Sequence, residues 1–244
     1  MQRTPKIIQR TPKIIQRMPK IIQRMPIKMK SISYVVLSKG EPQTLSLLQH
    51  LFDNKDFNDS IILVCDGNEE SLPPQYEFYA EIFYHKLGYS YAEHRNSVLP
   101  MLKTDYAMFL DADETLEVEV LKRLKSLLDL YNYPDLLIMP RINYVLGLEN
   151  NMQMARKYGW HVTGQNIIAW DTGDYQTRFI KVGSGLKWIG NLHERIYPSA
   201  YHTSVIAPHS IHCAITHIKT LEVQIKGNEA YMKKYTVSEN QGIH

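Results

Sequence analysis

The chain has 244 residues, 44% of them hydrophobic, which is enough for one large α/β domain with a sizeable buried core. Its two cysteines, Cys65 and Cys213, are far apart, which excludes a disulfide-rich scaffold and favours a reducing compartment. No apolar run approaches the ~20 residues that span a bilayer, and the N-terminus lacks the apolar core of a secretory signal. We therefore expect a cytoplasmic protein without a transmembrane segment, which can also lie peripherally on a membrane.

The net charge of +3 hides an uneven distribution, because nine of the 28 Lys and Arg residues lie in residues 1–30, which contain no acid. Residues 31–244 carry the other 19 basic side chains against 25 acidic ones. Residues 2–28 repeat a seven-residue unit of the type Gln-Arg-Thr-Pro-Lys-Ile-Ile. The proline in each unit argues against a coiled coil, since proline costs a helix interior ~3 kcal/mol. We predict a disordered tail in residues 1–30 and a single domain in residues 31–244.

This tail has two interpretations, of which we favour the second. It is either a basic arm that contacts nucleic acid or an anionic membrane surface, or the product of a duplicated coding unit or of a start placed too far upstream. In the second case Met25 or Met29 is the true first residue.

Strands and helices alternate in the first half of the domain, which indicates an α/β fold with a mostly parallel central sheet flanked by helices. The apolar pattern predicts strands at residues 31–37, 61–64, 89–93, 106–110, 136–140 and 176–180. It predicts helices at residues 43–52, 77–87, 118–130 and 221–235, with a short helix ending at residue 102. Residues 144–176 show no clear period, and we expect irregular structure that lines or covers a site.

The most informative stretch is the apolar strand 106–110, which runs directly into Asp111, Ala112, Asp113 and Glu114. Ligands of open α/β sheets bind beyond the carboxyl ends of the strands, and carboxylates there suit Mg²⁺ or Mn²⁺ with a phosphorylated ligand. Asp111 and Asp113 lie two apart, so an extended backbone would turn both to one side. The alternative is that these acids cap the helix that follows.

Further polar residues follow other predicted strands. Asp66 ends the second strand, where it is either a site carboxylate or plain turn chemistry. Arg178 lies in the strand 176–180 and precedes the segment Trp188-Ile189-Gly190-Asn191-Leu192-His193-Glu194. His209, His212 and His217 can each be a satisfied surface or core histidine, and we prefer that interpretation for His209 and His212.

Taken together, these motifs resemble family 2 glycosyltransferases of the GT-A fold. The resemblance covers roughly residues 31–235 and uses the Asp-x-Asp motif and the Trp-x-Gly-x-x-His-Glu segment. It also includes Glu41, Asp66, the pair Arg95-Asn96, Arg178 and His217. The chain departs from the family pattern after the first strand, where Lys39-Gly40-Glu41 replaces the common Asn-Glu.

The resemblance implies an inverting transfer of a sugar from a nucleotide-diphosphate donor, with a UDP-sugar favoured, to an acceptor hydroxyl. It implies Glu194 as the catalytic base and Mn²⁺ or Mg²⁺ as cofactor. Implied metal ligands are Asp111, Asp113 and His217, with Asp113 the first choice and Asp111 on the metal or on the ribose. Implied donor contacts are Glu41, Asp66, Arg95, Asp111, Arg178, Trp188 and His193. Core packing remains an alternative for Trp188, and a structural ion pair for Arg178.

Two other functions remain possible at this point. A nucleotidyltransferase also uses paired carboxylates, although residues 38–42 make a poor phosphate-binding loop. A non-catalytic module that binds carbohydrate or nucleic acid would use the basic tail, but the intact acidic residues speak against it. The acceptor is left open between a glycan, a lipid-linked molecule and a nucleic acid.

Overall fold

The computed structural model describes residues 30–67, 72–88, 90–164, 166–169, 174–191 and 194–240. Residues 1–29 of the predicted tail, and His193 of the candidate site, lie outside the described residues. None of the described helices is long and apolar enough to cross a bilayer.

The strands are β1 Ile32–Ser38, β2 Ser60–Cys65, β3 Glu81–Tyr84, β4 Tyr106–Asp111, β5 Glu114–Thr115, β6 Leu136–Leu146, β7 His161–Thr163, β8 Ile167–Ala169, β9 Asp174–Lys181, β10 Trp188–Ile189, β11 Arg195–Ile196, β12 Ser204–Ile206 and β13 Ile215–Thr220. The helices are α1 Thr44–Asn54, α2 Tyr76–Tyr79, α3 Tyr91–Ser97, α4 Val118–Leu130, α5 Met152–Tyr158 and α6 Leu221–Asn240.

The predicted α/β architecture, a central sheet flanked by helices, is confirmed. The main sheet runs in the order β3-β2-β1-β4-β9-β6-β13-β5. Its first four strands are parallel, β9 lies antiparallel between β4 and β6, and β13 is parallel to β6. The carboxyl ends of β1, β2 and β4 therefore meet at one edge, which is where ligands of such sheets bind.

The sheet is buried on both faces because its inner strands are continuous apolar runs. All of β4 is buried except Asp111 at its end, as expected for a strand between two helical layers. One face packs against α1 and α4. The other packs against α3 and the β10–β11 hairpin.

The helix predicted at residues 77–87 is wrong. A four-residue helix, Tyr76–Tyr79, ends at Ala80, whose backbone is extended, and β3 follows. The partner of β3 is β2, which it meets in parallel from Ile62 opposite Glu81 to Cys65 opposite Tyr84. The hydrogen bonds between β3 and β2 outweigh the local helical pattern. Sequence periodicity does not reveal such long-range pairing.

The strand predicted at residues 89–93 is also wrong, because helix α3 begins at Tyr91. Ser90 is its N-cap, and the Ser90 hydroxyl accepts a hydrogen bond from the backbone N–H of Glu93 (3.2 Å). The Ser-x-x-Glu spacing is a capping signal that was readable in the sequence. The cap orients α3 so that Arg95 enters the site.

Residues 144–176 are more regular than predicted. They contain the end of β6, helix α5, and the pair β7 and β8, and β8 adds to β6. Val145, Leu148, Ala155 and Ile168 form a small core of their own. The acids after β4 do not cap α4, because that helix begins at Val118 and Glu114 instead belongs to β5.

Candidate active site

A cleft of about 340 Å³ opens at the carboxyl edge of the sheet. It is lined by residues from β1, the β1–α1 loop, the end of β2, α3, the end of β4, and β6 and β13. The cleft brings together six of the sequence-predicted site residues, namely Glu41, Asp66, Arg95, Asp111, Asp113 and His217. The same cleft is also lined by Lys39, Tyr91, His94, Arg141 and Lys219.

Glu41 and Asp66 both hold loops around the cleft. One carboxylate oxygen of Glu41 accepts hydrogen bonds from the Ser38 hydroxyl and the Lys39 backbone N–H (2.7 Å each). One carboxylate oxygen of Asp66 accepts from the Leu87 backbone N–H (2.8 Å). Each carboxylate thus accepts these hydrogen bonds through one of its oxygens. Its second oxygen can contact a ligand.

Asp111 lies between two buried arginines. Its two oxygens accept from Arg95 Nη2 (2.7 Å) and Arg178 Nη2 (2.5 Å). Burial raises the pKa of the Asp111 carboxyl, but the charges of Arg178 and Arg95 outweigh burial and hold that pKa far below its usual range. The same pairing, with Glu114 as second partner, raises the pKa of Arg178 despite its burial. Asp111 is therefore ionised, and both oxygens are engaged within the protein.

Glu194 is attached to the same cluster through Arg95. The Arg95 Nε donates to Glu194 Oε1 (2.8 Å), and the Glu194 side chain is mostly buried and does not line the cleft. Among the described residues, Glu194 Oε2 accepts no hydrogen bond, so this oxygen can receive a proton. Glu194 and Asp113 therefore belong to one connected site rather than to opposite sides of the molecule.

The β10–β11 hairpin positions Glu194. Asn96, next to Arg95 on α3, donates to the Trp188 carbonyl (2.8 Å) and accepts from the Trp188 N–H (3.0 Å). Gly190 has φ +100°, a conformation that side chains with a Cβ rarely adopt, and it turns the chain between the two short strands. The Arg-Asn pair thus performs two tasks, since Asn96 fixes the hairpin and Arg95 holds the carboxylate it carries.

Two arginine nitrogens in the site are buried without a hydrogen-bond partner among the described residues, Arg95 Nη1 and Arg178 Nε. A buried donor without an acceptor loses free energy comparable to a lost hydrogen bond. Arg95 also lines the cleft. An anionic ligand in the cleft is the natural acceptor for its free N–H groups.

Asp113 and His217 form the second half of the site. His217 Nε2 lies 3.1 Å from Asp113 Oδ2, and Lys219 Nζ lies 3.4 Å from the same oxygen. Burial raises the pKa of Asp113, but the hydrogen bond and charge of His217 and the charge of Lys219 lower it by more, so the carboxylate stays ionised.

The described residues hold no preformed cage of three or more His, Cys, Asp or Glu side chains. A carboxylate and an imidazole on a cleft wall nevertheless fit a divalent cation that takes its other ligands from phosphate oxygens and water, as Mg²⁺ and Mn²⁺ commonly do.

Of the other four predicted site residues, Arg178, Trp188 and Glu194 do not line the cleft. Arg178, on β9, is buried and forms ion pairs with Asp111 and Glu114. Trp188 is 2% exposed and packs against Phe109, with ring centroids 4.4 Å apart, so its placement favours core packing. His193 is outside the described residues.

Sequence reasoning missed a set of residues that connect the two halves of the site. Arg141 binds Glu114 (2.9 Å) and Asp174 (2.8 Å), and Asn143 joins Asp174 to His217. His94 is a further missed residue, buried against His85 on the cleft wall. No spacing in the sequence marks the strand residues, because their contacts arise from the pairing of β6 with β9 and β13.

Comparison with known proteins identifies the class. The family model described as glycosyl transferase family 2 matches residues 33–181, which is more than half of the chain. The chain therefore belongs to this family, which confirms the predicted resemblance to family 2 glycosyltransferases.

Solved structures of S. aureus TarS are among those that match. The structure of TarS 1–349 with UDP is 19% identical over 48% of this chain and 37% of that one, with a TM-score of 0.39. The structure with UDP-GlcNAc is 18% identical over 48% of this chain and 36% of that one, with a TM-score of 0.37. The matched part thus spans little more than a third of those TarS chains. No curated protein matches the chain.

Proposed function

We propose that this chain is a metal-dependent, inverting glycosyltransferase that moves a sugar from a nucleotide-diphosphate donor to an acceptor hydroxyl. The observation that supports this most is the single cleft at the carboxyl edge of β1, β2 and β4, lined by Asp66, Arg95, Asp111, Asp113 and His217. Family membership favours this function over a nucleotidyltransferase or a non-catalytic module.

The donor site follows from the charges of the cleft. Asp66 and Glu41 offer acceptor oxygens for the base and ribose at the β1–β2 end. Arg95 offers the diphosphate a buried N–H group that has no partner within the described part of the chain. The resemblance to the family favours uracil as the base. Asp111 holds Arg95 and Arg178 in place, and we assign it that role before direct metal ligation.

Asp113 and His217 would hold Mn²⁺ or Mg²⁺. When bound, the cation neutralises the negative charge that grows on the departing diphosphate. Lys219, close to the same Asp113 oxygen, adds a fixed positive charge at this side of the cleft.

Glu194 acts as the base. It takes the proton of the acceptor hydroxyl as that oxygen bonds to the anomeric carbon, while the bond to the diphosphate oxygen breaks and its electron pair leaves with the diphosphate. Attack from the face opposite the leaving group inverts the configuration. Arg95 keeps Glu194 Oε1 occupied and thereby leaves Oε2 as the atom that accepts the proton.

The test incubates the protein with Mn²⁺ and a panel of UDP-sugars and other nucleotide sugars. Turnover is measured as the release of the nucleoside diphosphate. We expect release with at least one donor, its loss on chelation, and its loss in Asp113→Asn. Release that is unaffected by chelation and by Asp113→Asn would remove the metal-dependent mechanism. The same assay with glycan, lipid-linked and nucleic-acid acceptors identifies the acceptor class.

A further inference from the structure

Asn143 and Asp174 do not line the cleft, but they hydrogen-bond to two residues that do, His217 and Arg141. Asn143 on β6 is directly opposite His217 on β13 in the parallel register, and Asp174 on β9 is directly opposite Arg141 on β6. The pairing of the three strands therefore places Arg141, Asp174, Asn143 and His217 in one row.

The hydrogen bonds along this row have only one consistent direction. Asp174 is a carboxylate, and its Oδ2 accepts from Arg141 Nε (2.8 Å) and from Asn143 Nδ2 (2.8 Å). The charge of Arg141 and the hydrogen bonds of Asn143, Arg141 and Gln176 outweigh burial and lower the pKa of Asp174, so it remains an acceptor only. The amide NH₂ of Asn143 must therefore face Asp174, and its carbonyl oxygen must face His217.

The orientation of Asn143 then determines the tautomer of His217. Asn143 Oδ1 lies 2.7 Å from His217 Nδ1 and can only accept, so Nδ1 carries a hydrogen and donates it. In a neutral imidazole this leaves Nε2 with a free lone pair. Nε2 is the atom that lies 3.1 Å from the Asp113 carboxylate. Without a metal, a hydrogen on Nε2 donates to Asp113; with a divalent cation bound, the Nε2 lone pair and the Asp113 carboxylate would face the cation together.

We infer that Asn143 and Asp174 are positioning residues that fix His217 as an Nε2 metal ligand beside Asp113. This inference rests on the proposed metal-dependent function and adds residues that no motif contains. Hydrogen bonds behind a metal-binding histidine set its tautomer and ring orientation, and their removal commonly weakens metal binding by about 10–100-fold.

The test measures Mn²⁺ binding to the full chain in the presence of UDP, by the electron paramagnetic resonance signal of free Mn²⁺. Asn143→Leu keeps the approximate volume of the side chain and removes its acceptor. We expect its Mn²⁺ affinity to fall by about 10–100-fold. Wild-type affinity in Asn143→Leu would overturn the inference.

Gln176→Leu is the matched control. Gln176 is also an amide that donates to Asp174 (2.5 Å), but to Oδ1, whereas Asn143 donates to Oδ2. We expect its Mn²⁺ affinity to stay within about twofold of the wild type. An equal loss in both variants would show general damage around Asp174 and would also overturn the inference.

A second measurement does not depend on how a variant folds. Two-bond ¹H–¹⁵N spectra of the wild type with Mg²⁺ and UDP report which ring nitrogen of His217 carries hydrogen. We expect hydrogen on Nδ1 and none on Nε2, and the opposite assignment would contradict the inference. Asp113→Ala distinguishes a failure of the proposed metal site from a failure of this inference. Unchanged Mn²⁺ binding in Asp113→Ala would rule out the metal site itself. Lost Mn²⁺ binding in Asp113→Ala, together with wild-type binding in Asn143→Leu, would rule out only the role of Asn143.

Discussion

Arg95 is the residue through which the two acidic groups of the site are joined. Its Nε and Nη2 contact Glu194 and Asp111, and its third nitrogen has no partner among the described residues. A planar guanidinium has donors in fixed directions, so placing two of them also fixes the third. Donor binding and the orientation of the proposed base are therefore coupled through one side chain.

Glu194→Gln tests the role of the base. The amide keeps the shape of the side chain but cannot take a proton, so we expect kcat to fall by about 10²–10⁴-fold while the Kd of UDP changes by less than about threefold. Calorimetry and steady-state kinetics measure the two quantities. Glu119→Gln, an exposed position on α4, is the control, and a Glu194→Gln enzyme with normal kcat would rule Glu194 out.

His94 gives the fold a defined dependence on pH. Burial, followed by the charge on His85 and the nearby Arg95 and Lys39, lowers the pKa of His94 to about 4, below the usual 6.5. Between these two values the unfolded chain binds more protons than the folded one, so stability is highest above pH 6.5 and falls as the pH drops towards 4.

We expect this histidine to reduce the free energy of unfolding by at most about 3 kcal/mol over that window. Urea denaturation at several pH values measures the free energy, and His94→Gln should show a shallower fall between pH 6.5 and 4. Identical slopes in the two proteins would show that His94 titrates normally.

The residues of the site divide into those that sequence could reveal and those that it could not. Asp66, Asp111 and Asp113 lie at or just after the ends of apolar strands. Because the strands are parallel, these ends meet at the carboxyl edge of the sheet. Asn143 lies within β6 and Asp174 begins β9, neither belongs to a motif, and their meeting depends on the register between β6 and its neighbours. Register is a long-range property that a local pattern does not contain.

At the scale of elements, the β10–β11 hairpin is held from both sides. Asn96 binds its backbone, and the Trp188 ring fills the core between α3 and β4. The sequence identified this segment by its residue types but left the role of Trp188 open, because an aromatic ring serves a core and a sugar-binding wall equally well.

Trp188→Phe distinguishes the two roles. Because the ring is almost fully buried, we expect the smaller side chain to lower the free energy of unfolding by about 1–3 kcal/mol and to leave the Kd of UDP unchanged. Phe57→Ala, at a fully exposed ring, should change stability by less than about 0.5 kcal/mol. Weaker UDP binding with unchanged stability would place Trp188 in the donor site instead.

For the whole molecule, ligand binding at the sheet edge should stabilise the fold. The cleft joins β1, β2, α3, β4, β6 and β13, so a ligand there contacts only the folded chain. At a ligand concentration of 100 times Kd, binding adds about 2.7 kcal/mol to the free energy of unfolding. For a domain of this size, that raises Tm by roughly 5–10 °C.

We expect that increase with UDP and Mn²⁺ together, and a clearly smaller one with either alone. Thermal denaturation measures it, and Asp113→Asn should remove the part that depends on Mn²⁺. Equal shifts with and without Mn²⁺ in the wild type would argue against a shared metal and nucleotide site.

The N-terminal repeat allows a separate test. If it is a product of duplicated or untranslated sequence, a chain that starts at Met29 should retain full turnover and nucleotide affinity. A large loss of turnover would favour the basic arm, and in that case affinity for a polyanionic acceptor should fall steeply with rising salt.

The connected charges of the site also limit how this enzyme can change. Ion pairs run from Glu194 through Arg95, Asp111, Arg178 and Glu114 to Arg141, where the row that ends at His217 begins. Replacing one member leaves its neighbour as a buried charge without a partner. We therefore expect every single substitution to lower stability or activity, and the effects of combined substitutions not to be additive. Variants with altered donor preference should therefore arise by paired exchanges among these charges, or at wall positions outside them such as Tyr91 and Lys39.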